Sequence, residues 1–159
     1  MKLDLLDQQI IMALENDGRK AYREIARDLD VAEATVRSRV SRLTEHGLIH
    51  ITAVGDPLKL GVEVVAISLI RIKPGYAEET AEVLTHFPNV RFVGTALGSA
   101  DIIIQTLHPT VKHLHEFISK DLPKAASAVT STETFQLTAV LKSSWEWRAW
   151  FEQEKQGET

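Results

Sequence analysis

The sequence of 159 residues contains no cysteine. Without thiols the chain can form neither disulfides nor thiolate metal sites, which is typical of a protein that works in a reducing compartment. The sequence also lacks an apolar run of membrane-spanning length, and acidic residues near its start interrupt the apolar stretch that a signal peptide needs. We therefore expect a cytoplasmic protein that does not contact a membrane.

The sequence also has no excess of positive charge. The formal net charge is −4, and residues 1–50 carry about as many acidic as basic side chains. Most of such a surface repels phosphate, so any contact with DNA must depend on a local cationic patch. The apolar share of 44% and the charged share of 25% are those of an ordinary globular protein.

Catalytic and metal-binding patterns are scarce. The sequence has no glycine-rich phosphate loop, no zinc-ligand spacing and no arrangement that predicts a catalytic triad. His113 and His115 are two residues apart on a predicted helix, so they point about 200° away from each other and cannot hold one metal ion together. We expect no catalytic residues, no metal and no cofactor.

Apolar residues recur at helical spacing through the first 49 residues. This periodicity predicts helices over about 4–16, 22–29 and 33–46, with a turn at Asp30-Val31 and a stop at Gly47. Ala21 and Ala32 stand where serine would be the usual N-cap, which costs each helix about 1 kcal/mol of capping. Three short helices that share one apolar seam predict a helix-turn-helix domain.

The third predicted helix has two different faces. Val36, Val40 and Leu43 form an inner apolar stripe. Ala34, Ser38, Ser41 and Arg42 lie roughly opposite this stripe, with Thr35 and Arg37 beside them, so the outer face is small, polar and cationic. We predict that the DNA-binding residues of this helix are Thr35, Arg37, Ser38, Arg39, Ser41 and Arg42. Small side chains let the backbone approach the DNA major groove, while arginine can bind phosphate or guanine. The alternative is an ordinary solvated helix of a three-helix domain.

The pattern changes after residue 49. Residues 50–61 predict a strand followed by a hinge. Strands are then predicted over 62–72, 91–97, 101–107 and about 129–141, with helices over 76–87 and 110–121. The order βαββαβ is the ferredoxin-like arrangement, an α+β fold with both helices on one face of an antiparallel sheet.

The strands of this predicted sheet are apolar on both faces. Residues 62–72 place Ile70 on one face and Ile67 on the other, and Ile102, Ile103 and Ile104 also alternate between the faces. Two helices cover only one face, and an exposed apolar face of this size is usually a protein interface. The same sheet of a second subunit, related by a two-fold axis, is the simplest cover.

Taken together, these motifs resemble one known family. Leu3, Asp4, Asp7 and Ile10 form an LDxxDxxI opening, which is followed by Asp17-Gly18-Arg19, by YREIA and by VxxRVxRLxxxGLI. With the βαββαβ domain, they resemble the leucine-/asparagine-responsive (Lrp/AsnC) transcriptional regulators. The resemblance implies double-stranded DNA and an amino-acid effector as partners, and homodimers that commonly assemble into octamers.

The resemblance also implies how the chain is divided. The expected parts are a helix-turn-helix DNA-binding domain over 1–49, a hinge over 50–61 and an effector-binding and oligomerisation domain over 62–142. Residues 143–159 form a tail with Trp145, Trp147, Trp150 and Phe151. This tail is longer and more aromatic than the family pattern, and we expect its aromatic stripe to serve packing.

The family's GxxD hairpin element matches residues 98–101, and its last strand begins at a Thr-Glu-Thr segment. The effector-binding residues that the resemblance implies are Gly98, Ser99, Asp101, Thr132 and Thr134. An amino acid needs an anion for its ammonium and N–H donors for its carboxylate, which Asp101 and the open backbone at Gly98 can supply. The alternative is that Gly98 closes the hairpin while Asp101 accepts from a neighbouring backbone amide.

Two other function classes share features with this chain. Haem-precursor (tetrapyrrole) decarboxylases resemble the same two-part architecture, so the fold alone does not exclude an enzyme. The retained Arg37, Arg39 and Arg42 favour DNA binding over that alternative. A DNA-independent amino-acid sensor that only oligomerises is the second alternative, and salt-dependent binding to duplex DNA separates it from a regulator.

Overall fold

The computed structural model describes residues 2–142, 147, 148 and 150–152. It divides the chain into two compact units. The first unit contains the chain up to Val54 together with the described residues from Lys142 onward, and the second contains Gly55–Leu141. Within the described ranges, no helix has the length and apolar character that crossing a membrane requires.

The first unit begins with three helices, α1 (Leu5–Asn16), α2 (Tyr22–Asp28) and α3 (Glu33–Glu45). Helix α1 starts with a capping box, because Asp4 and Asp7 each accept a hydrogen bond from the other's backbone amide. Ala21 and Ala32 are the N-caps of α2 and α3 and make no side-chain capping bond, as the sequence predicted.

The core of this unit is built from the apolar stripes of all three helices. Its buried members are Ile10, Leu14, Ile25, Ala26, Val36 and Val40. Leu43, the third residue of the predicted α3 stripe, is fully buried in an adjoining cluster. The predicted helical phase of α3 is therefore confirmed.

The second unit is a four-stranded antiparallel sheet. Its strands are β1 (Val64–Ile72), β2 (Val90–Thr95), β3 (Ile102–His108) and β4 (Val129–Leu137), in the spatial order β2-β3-β1-β4. Helix α4 (Ala77–Thr85) connects β1 to β2. Helices α5 (Val111–Glu116) and α6 (Leu122–Ala125), joined by a π-helical turn at Phe117–Asp121, connect β3 to β4. The predicted ferredoxin-like arrangement is confirmed.

The two faces of the sheet differ in how they are covered. On the helix-covered face, Ile70, Ile102 and Ile104 are fully buried, in one cluster with Leu84 and Phe117 from the helical segments. We call the other face the open face. It carries Ile67, Leu69, Ile103 and Phe135, which are neighbours across three strands because Leu69 pairs with Ile103 and Ile67 pairs with Phe135. All four are partly or largely exposed.

Three predicted elements differ from the structure. The strand expected at the start of residues 50–61 is absent from that described range, since a strand needs a hydrogen-bonded partner and none pairs with it here. Strand β4 ends at Leu137 rather than at residue 141. The helix expected over 110–121 widens into a π-helical turn, where the Leu122 amide donates to the Phe117 carbonyl just before Pro123, which has no N–H.

The predicted C-terminal tail falls only partly on described residues. Trp145 and the rest of 143–146, residue 149 and residues 153–159 lie outside the described ranges. Among the described residues of the tail, Phe151 is 5% exposed and belongs to the cluster of the first unit that contains Leu43.

Candidate functional site

The outer surface of α3 is open to solvent. Ser38 and Ser41 are exposed, Thr35 is partly exposed, and Val36 on the opposite side is fully buried. The exposed side chains are small around the middle of the helix, so another molecule can come close to the backbone there. This surface is the part of the first unit that the sequence predicted as the DNA contact.

Arg37 is the most accessible of the three arginines of α3, with 63% of its side chain exposed. Its Nη2 donates to Glu33 Oε1 at 2.7 Å, one helical turn earlier. Its guanidinium also lies over the ring of Tyr22 from α2, 5.3 Å from the ring centre. Both contacts are exposed and weak, so they orient the guanidinium without preventing it from binding an anion.

Arg39 and Arg42 are placed differently from Arg37, because both bond to carboxylates of α1 and its cap. Arg42 Nη2 donates to both oxygens of Asp7 at 2.8 Å, and Arg39 Nη1 donates to Asp7 Oδ1 at 3.0 Å. Arg39 also hydrogen-bonds Asp4. The Asp7 side chain is 1% exposed, so its charge is buried and depends on these partners.

The charges of this network stabilise one another. The hydrogen bond from Arg39 is the main reason that the pKa of the Asp4 carboxyl lies below its ordinary value, and the Asp7 amide adds to the effect. The same pairing with Asp4, and then with Asp7, raises the pKa of Arg39. Both groups therefore stay charged across the physiological range, and the network holds α3 against α1.

This network changes the interpretation of the predicted cationic face. From the sequence, all three arginines of α3 were predicted to be available to DNA. The structure pairs Arg39 and Arg42 with carboxylates of α1 and its cap, and Arg37 is the most accessible of the three. The Asp-x-x-Asp spacing at the start of α1 was a local signal for the capping box, whereas the pairing to α3, more than 30 residues away, had none.

In the second unit, Gly98 and Asp101 lie in the hairpin between β2 and β3. Gly98 has φ +132°, a backbone conformation that residues other than glycine rarely adopt. The Ile72 amide at the end of β1 donates to Asp101 Oδ2 at 2.8 Å, so the carboxylate replaces the backbone acceptor that β3 no longer supplies there. The alternative role for Asp101, accepting from a neighbouring amide, is thus realised by one oxygen, and a carboxylate has a second oxygen that can accept from a ligand.

The two threonines of β4 are placed by the sheet register. Thr132 pairs with Ile70, which pairs on its other side with Ile102, the residue next to Asp101. Thr132 and Asp101 therefore share one end of the sheet, about 10 Å apart across two strand spacings. Thr134 lies one step further along, where its Oγ1 is hydrogen-bonded to Ser68 Oγ at 2.9 Å. Exposed Ser99 sits in the same hairpin as Asp101.

A buried histidine was not singled out by the sequence analysis. His108 at the end of β3 is 3% exposed, and its Nε2 is hydrogen-bonded to Thr106 Oγ1 at 3.0 Å. Its ring lies 5.4 Å from that of Phe117. Burial lowers the pKa of His108, and the neighbouring charge of His113 lowers it further. The alternation of side chains between the two faces of a strand could have predicted this burial, because it places residue 108 on the same helix-covered face as Ile102 and Ile104.

In the part of the chain that the structure describes, no three His, Asp or Glu side chains come together in a way that could hold a metal ion. Among the described residues, the Asp–Arg network of the first unit and the hairpin end of the sheet each bring several polar groups together.

Comparison with known proteins matches both units. A family model described as the AsnC-type helix-turn-helix domain matches residues 3–44, and one described as the Lrp/AsnC ligand binding domain matches residues 65–145. An uncharacterized HTH-type transcriptional regulator of Pyrococcus furiosus is 40% identical over 141 residues, which are 88% of this chain and 95% of that protein.

Solved structures share the fold along nearly the whole chain. The structure of Escherichia coli AsnC covers 90% of this chain and 97% of its own, with a TM-score of 0.77 and 23% sequence identity. A transcriptional regulator of Neisseria meningitidis, solved as a complex with L-Met, covers 91% of this chain and 96% of its own, with a TM-score of 0.78 and 18% identity. At these identities the two structures show the common fold.

Proposed function

Because the chain belongs to the Lrp/AsnC family of transcriptional regulators, we propose that it binds double-stranded DNA sequence-specifically through the outer surface of α3. The observation that carries this proposal is the exposure of Arg37, Ser38 and Ser41 above a fully buried apolar stripe. A helix of this kind can enter the major groove with its backbone close to the base edges.

The polar residues of α3 take different roles in this proposal. Arg37 neutralises a phosphate, because its guanidinium is accessible and held only by weak surface contacts. Ser38 and Ser41 face the base edges, and Thr35 contacts the backbone or a base at the start of the helix. Arg39 and Arg42 act mainly by holding α3 on α1, with the exposed parts of their side chains at the margin of the DNA contact.

We further propose that a free amino acid is the effector and that it binds at the hairpin end of the sheet. Asp101 would bind the ligand ammonium through the oxygen that the Ile72 amide does not use. Gly98 and Ser99 would supply backbone donors for the ligand carboxylate, and the hydroxyl groups of Thr132 and Thr134 would complete the polar lining. The match to a ligand binding domain supports this role.

The proposed assembly begins with a homodimer formed through the open face. Phe92 and Phe135 are 45% and 47% exposed on that face, next to the partly exposed Ile67 and Ile103. Apolar side chains in this number favour burial against a second copy. Dimers would then assemble into octamers or other higher oligomers, with the effector bound between dimers.

The named relative and the matched family models are of regulators, and we propose that this chain is likewise not an enzyme. A tetrapyrrole decarboxylase on the same architecture would bind a strongly absorbing ligand, so colour in the purified protein would contradict the proposal. A DNA-independent sensor would bind no duplex. A regulator must reach the chromosome, which is consistent with the expected cytoplasmic location.

The proposal is tested by titrating a fluorescent random-sequence duplex with the wild type and with Arg37→Ala at several salt concentrations. Arg37→Ala should weaken binding to every duplex and lower the salt slope by about one per DNA-binding unit. Arg91→Ala, at an exposed position on β2 of the second unit, is the matched control and should leave the affinity unchanged. Equal affinity of the wild type and Arg37→Ala would contradict the assignment of α3.

Ser38→Ala tests the second half of the assignment. Selection of preferred sites from a random duplex library should return a different sequence preference for this variant, while its affinity for random duplex stays close to that of the wild type. An unchanged preference would mean that Ser38 does not face the bases.

A further inference from the structure

The described residues of the C-terminal tail lie on the DNA-binding unit. Phe151 is 5% exposed and packs in a cluster with Ile11 of α1 and Leu43 of α3. We call the described residues Trp147, Arg148 and Trp150–Glu152 the C-terminal strap. Because α3 is the proposed recognition helix, the strap contacts the element that determines DNA binding.

The strap is held at two points. The Trp147 amide donates to the Glu15 carboxylate on α1, and one helical turn later the Phe151 amide donates to the Trp147 carbonyl at 3.0 Å. The Trp147 and Phe151 rings stack with their centres 6.5 Å apart. Trp147 also lines an open, mainly apolar cavity of about 420 Å³ with Leu14 and Ile51.

The strap does not compete with DNA for α3. Phe151 contacts Leu43, which belongs to the inner stripe. Ser38 and Ser41 project about 140° and 160° away from Leu43 around the helix axis. A docked strap therefore leaves the outer surface of α3 open.

The strap is also an addition to the family pattern. The matched ligand binding domain ends at residue 145, before the first described residue of the strap. The strap follows β4, the strand that carries Thr132 and Thr134, and only nine residues separate Leu137 from Trp147. A connection of this length spans at most about 36 Å.

We propose that the C-terminal strap, anchored by Phe151 between α1 and α3, joins the DNA-binding unit to the effector unit at a second point. This second connection restricts the volume in which the DNA-binding unit can move. The first connection is the chain through residues 50–61. The inference rests on the proposed function, and it concerns the control of DNA binding rather than the contact with DNA. The strap is joined through the chain to the strand with the proposed effector residues and packs against α3 through Phe151, so this connection does not pass through residues 50–61.

A restraint of this kind has a specific consequence for a dimer. When both DNA-binding units are held in limited volumes, binding of the first raises the effective concentration of the second at the neighbouring half-site. Release of the strap should therefore weaken binding to a duplex long enough for both units. It should not weaken binding to a duplex that accommodates only one.

Docking itself is measured through tryptophan fluorescence in the full-length protein, since all three tryptophans lie in the tail. Acrylamide should quench Phe151→Ala more strongly than the wild type, by up to about twofold, because Trp147 and Trp150 are already 45% and 61% exposed when the strap is docked. Phe151→Leu, which keeps an apolar anchor, should restore most of the protection. Leu141→Ala, which removes a 96% exposed apolar side chain from the same connection, is the matched control and should behave like the wild type. Equal quenching of the wild type and Phe151→Ala would overturn the proposal.

Function is measured as duplex affinity of the same four proteins, with duplexes of about 30 and about 12 base pairs that accommodate two units or one. Phe151→Ala should lose threefold or more in affinity for the long duplex and less than 1.5-fold for the short one, with Phe151→Leu close to the wild type. An equal loss on both duplexes would overturn the proposal, because Phe151 would then only stabilise the fold of the DNA-binding unit.

The same experiment separates this inference from the proposed function. If the wild type binds neither duplex in a salt-dependent way, the proposed DNA binding fails and the strap loses its regulatory role with it. If the wild type binds both duplexes and Phe151→Ala binds them equally well, the proposed function stands and the strap inference is overturned.

Discussion

Three arginines of one helix have two physical environments. Arg37 is exposed above Tyr22, whereas Arg39 and Arg42 neutralise the buried carboxylate of Asp7. A buried charge that loses its partner is costly, while an exposed ion pair contributes little. Substitutions at Arg37 and Arg42 should therefore separate DNA affinity from stability.

Arg42→Ala should lower the free energy of unfolding by about 1–3 kcal/mol, because Asp7 keeps Arg39 but loses the Nη2 donor that bonds both of its oxygens. Arg37→Ala is the control and should cost less than about 1 kcal/mol, since its ion pair with Glu33 is on the surface. Urea unfolding followed by circular dichroism measures both. A larger loss for Arg37→Ala than for Arg42→Ala would show that the network does not stabilise the unit.

His108 is the second residue whose environment is unusual. Burial lowers its pKa in the folded protein, and the other five histidines are exposed. The folded state therefore holds His108 neutral at a pH where the unfolded chain, with a histidine pKa of about 6.5, already binds a proton. Stability is fully present above that unfolded value and is lost as the pH falls through the lowered pKa of the folded state.

The urea midpoint of the wild type should consequently be lower at pH 5.5 than at pH 7.5. His108→Gln, which can keep a hydrogen bond to Thr106, should lose most of this difference. His115→Gln, at an exposed position of α5, should keep it. The hypothesis would be wrong if His108→Gln and the wild type had the same dependence on pH.

At the scale of elements, the periodicity of the sequence predicted correctly which side of a helix or strand is buried. The apolar stripe of α3 placed Val36, Val40 and Leu43 inside, and alternation in residues 62–72 placed Ile67 and Ile70 on opposite faces. Both follow from the repeat of a helix or a strand, so no tertiary information was needed.

The features that were predicted wrongly or missed from the sequence depend on partners elsewhere in the chain or outside it. Residues 50–54 include the β-branched Ile51, Thr52 and Val54, but a strand forms only where another backbone pairs with it. The bonds from Arg42 to Asp7 join residues 35 apart in the chain. The DNA-binding and effector roles of the site residues stay predictions, because they concern molecules that the chain meets outside its own fold.

The open face gives a prediction at the same scale. Ile67→Glu or Ile103→Glu should break the proposed dimer, since a carboxylate buried without a partner in an apolar interface costs several kcal/mol. Sedimentation at micromolar concentration should show monomers for these variants and dimers or larger assemblies for the wild type. Gln136→Glu, on the opposite side of β4 at an exposed position, is the control. A wild type that is monomeric and well folded under these conditions would contradict the proposed interface.

At the scale of the whole molecule, a chain with net charge −4 must bind DNA through a limited surface. An effector can alter that binding only if it has different affinities for two arrangements of the molecule. The effect is reciprocal, so an amino acid that changes DNA affinity is itself bound with an affinity that DNA changes by the same factor. If both proposed roles hold, one protein binds DNA and an amino acid with a measurable coupling between the two affinities.

The coupling is measured by titrating duplex DNA with the wild type and with Asp101→Asn, each with and without a panel of single amino acids including leucine, asparagine, methionine and lysine. Asparagine at 101 keeps an acceptor for the Ile72 amide but removes the charge that would bind a ligand ammonium. We expect at least one amino acid to change the duplex affinity of the wild type. We expect Asp101→Asn to need about ten- to a hundredfold more of it, with its duplex affinity in the absence of amino acid unchanged. A wild type whose duplex affinity responds to no amino acid, or an Asp101→Asn variant that responds at the same concentration, would contradict the account.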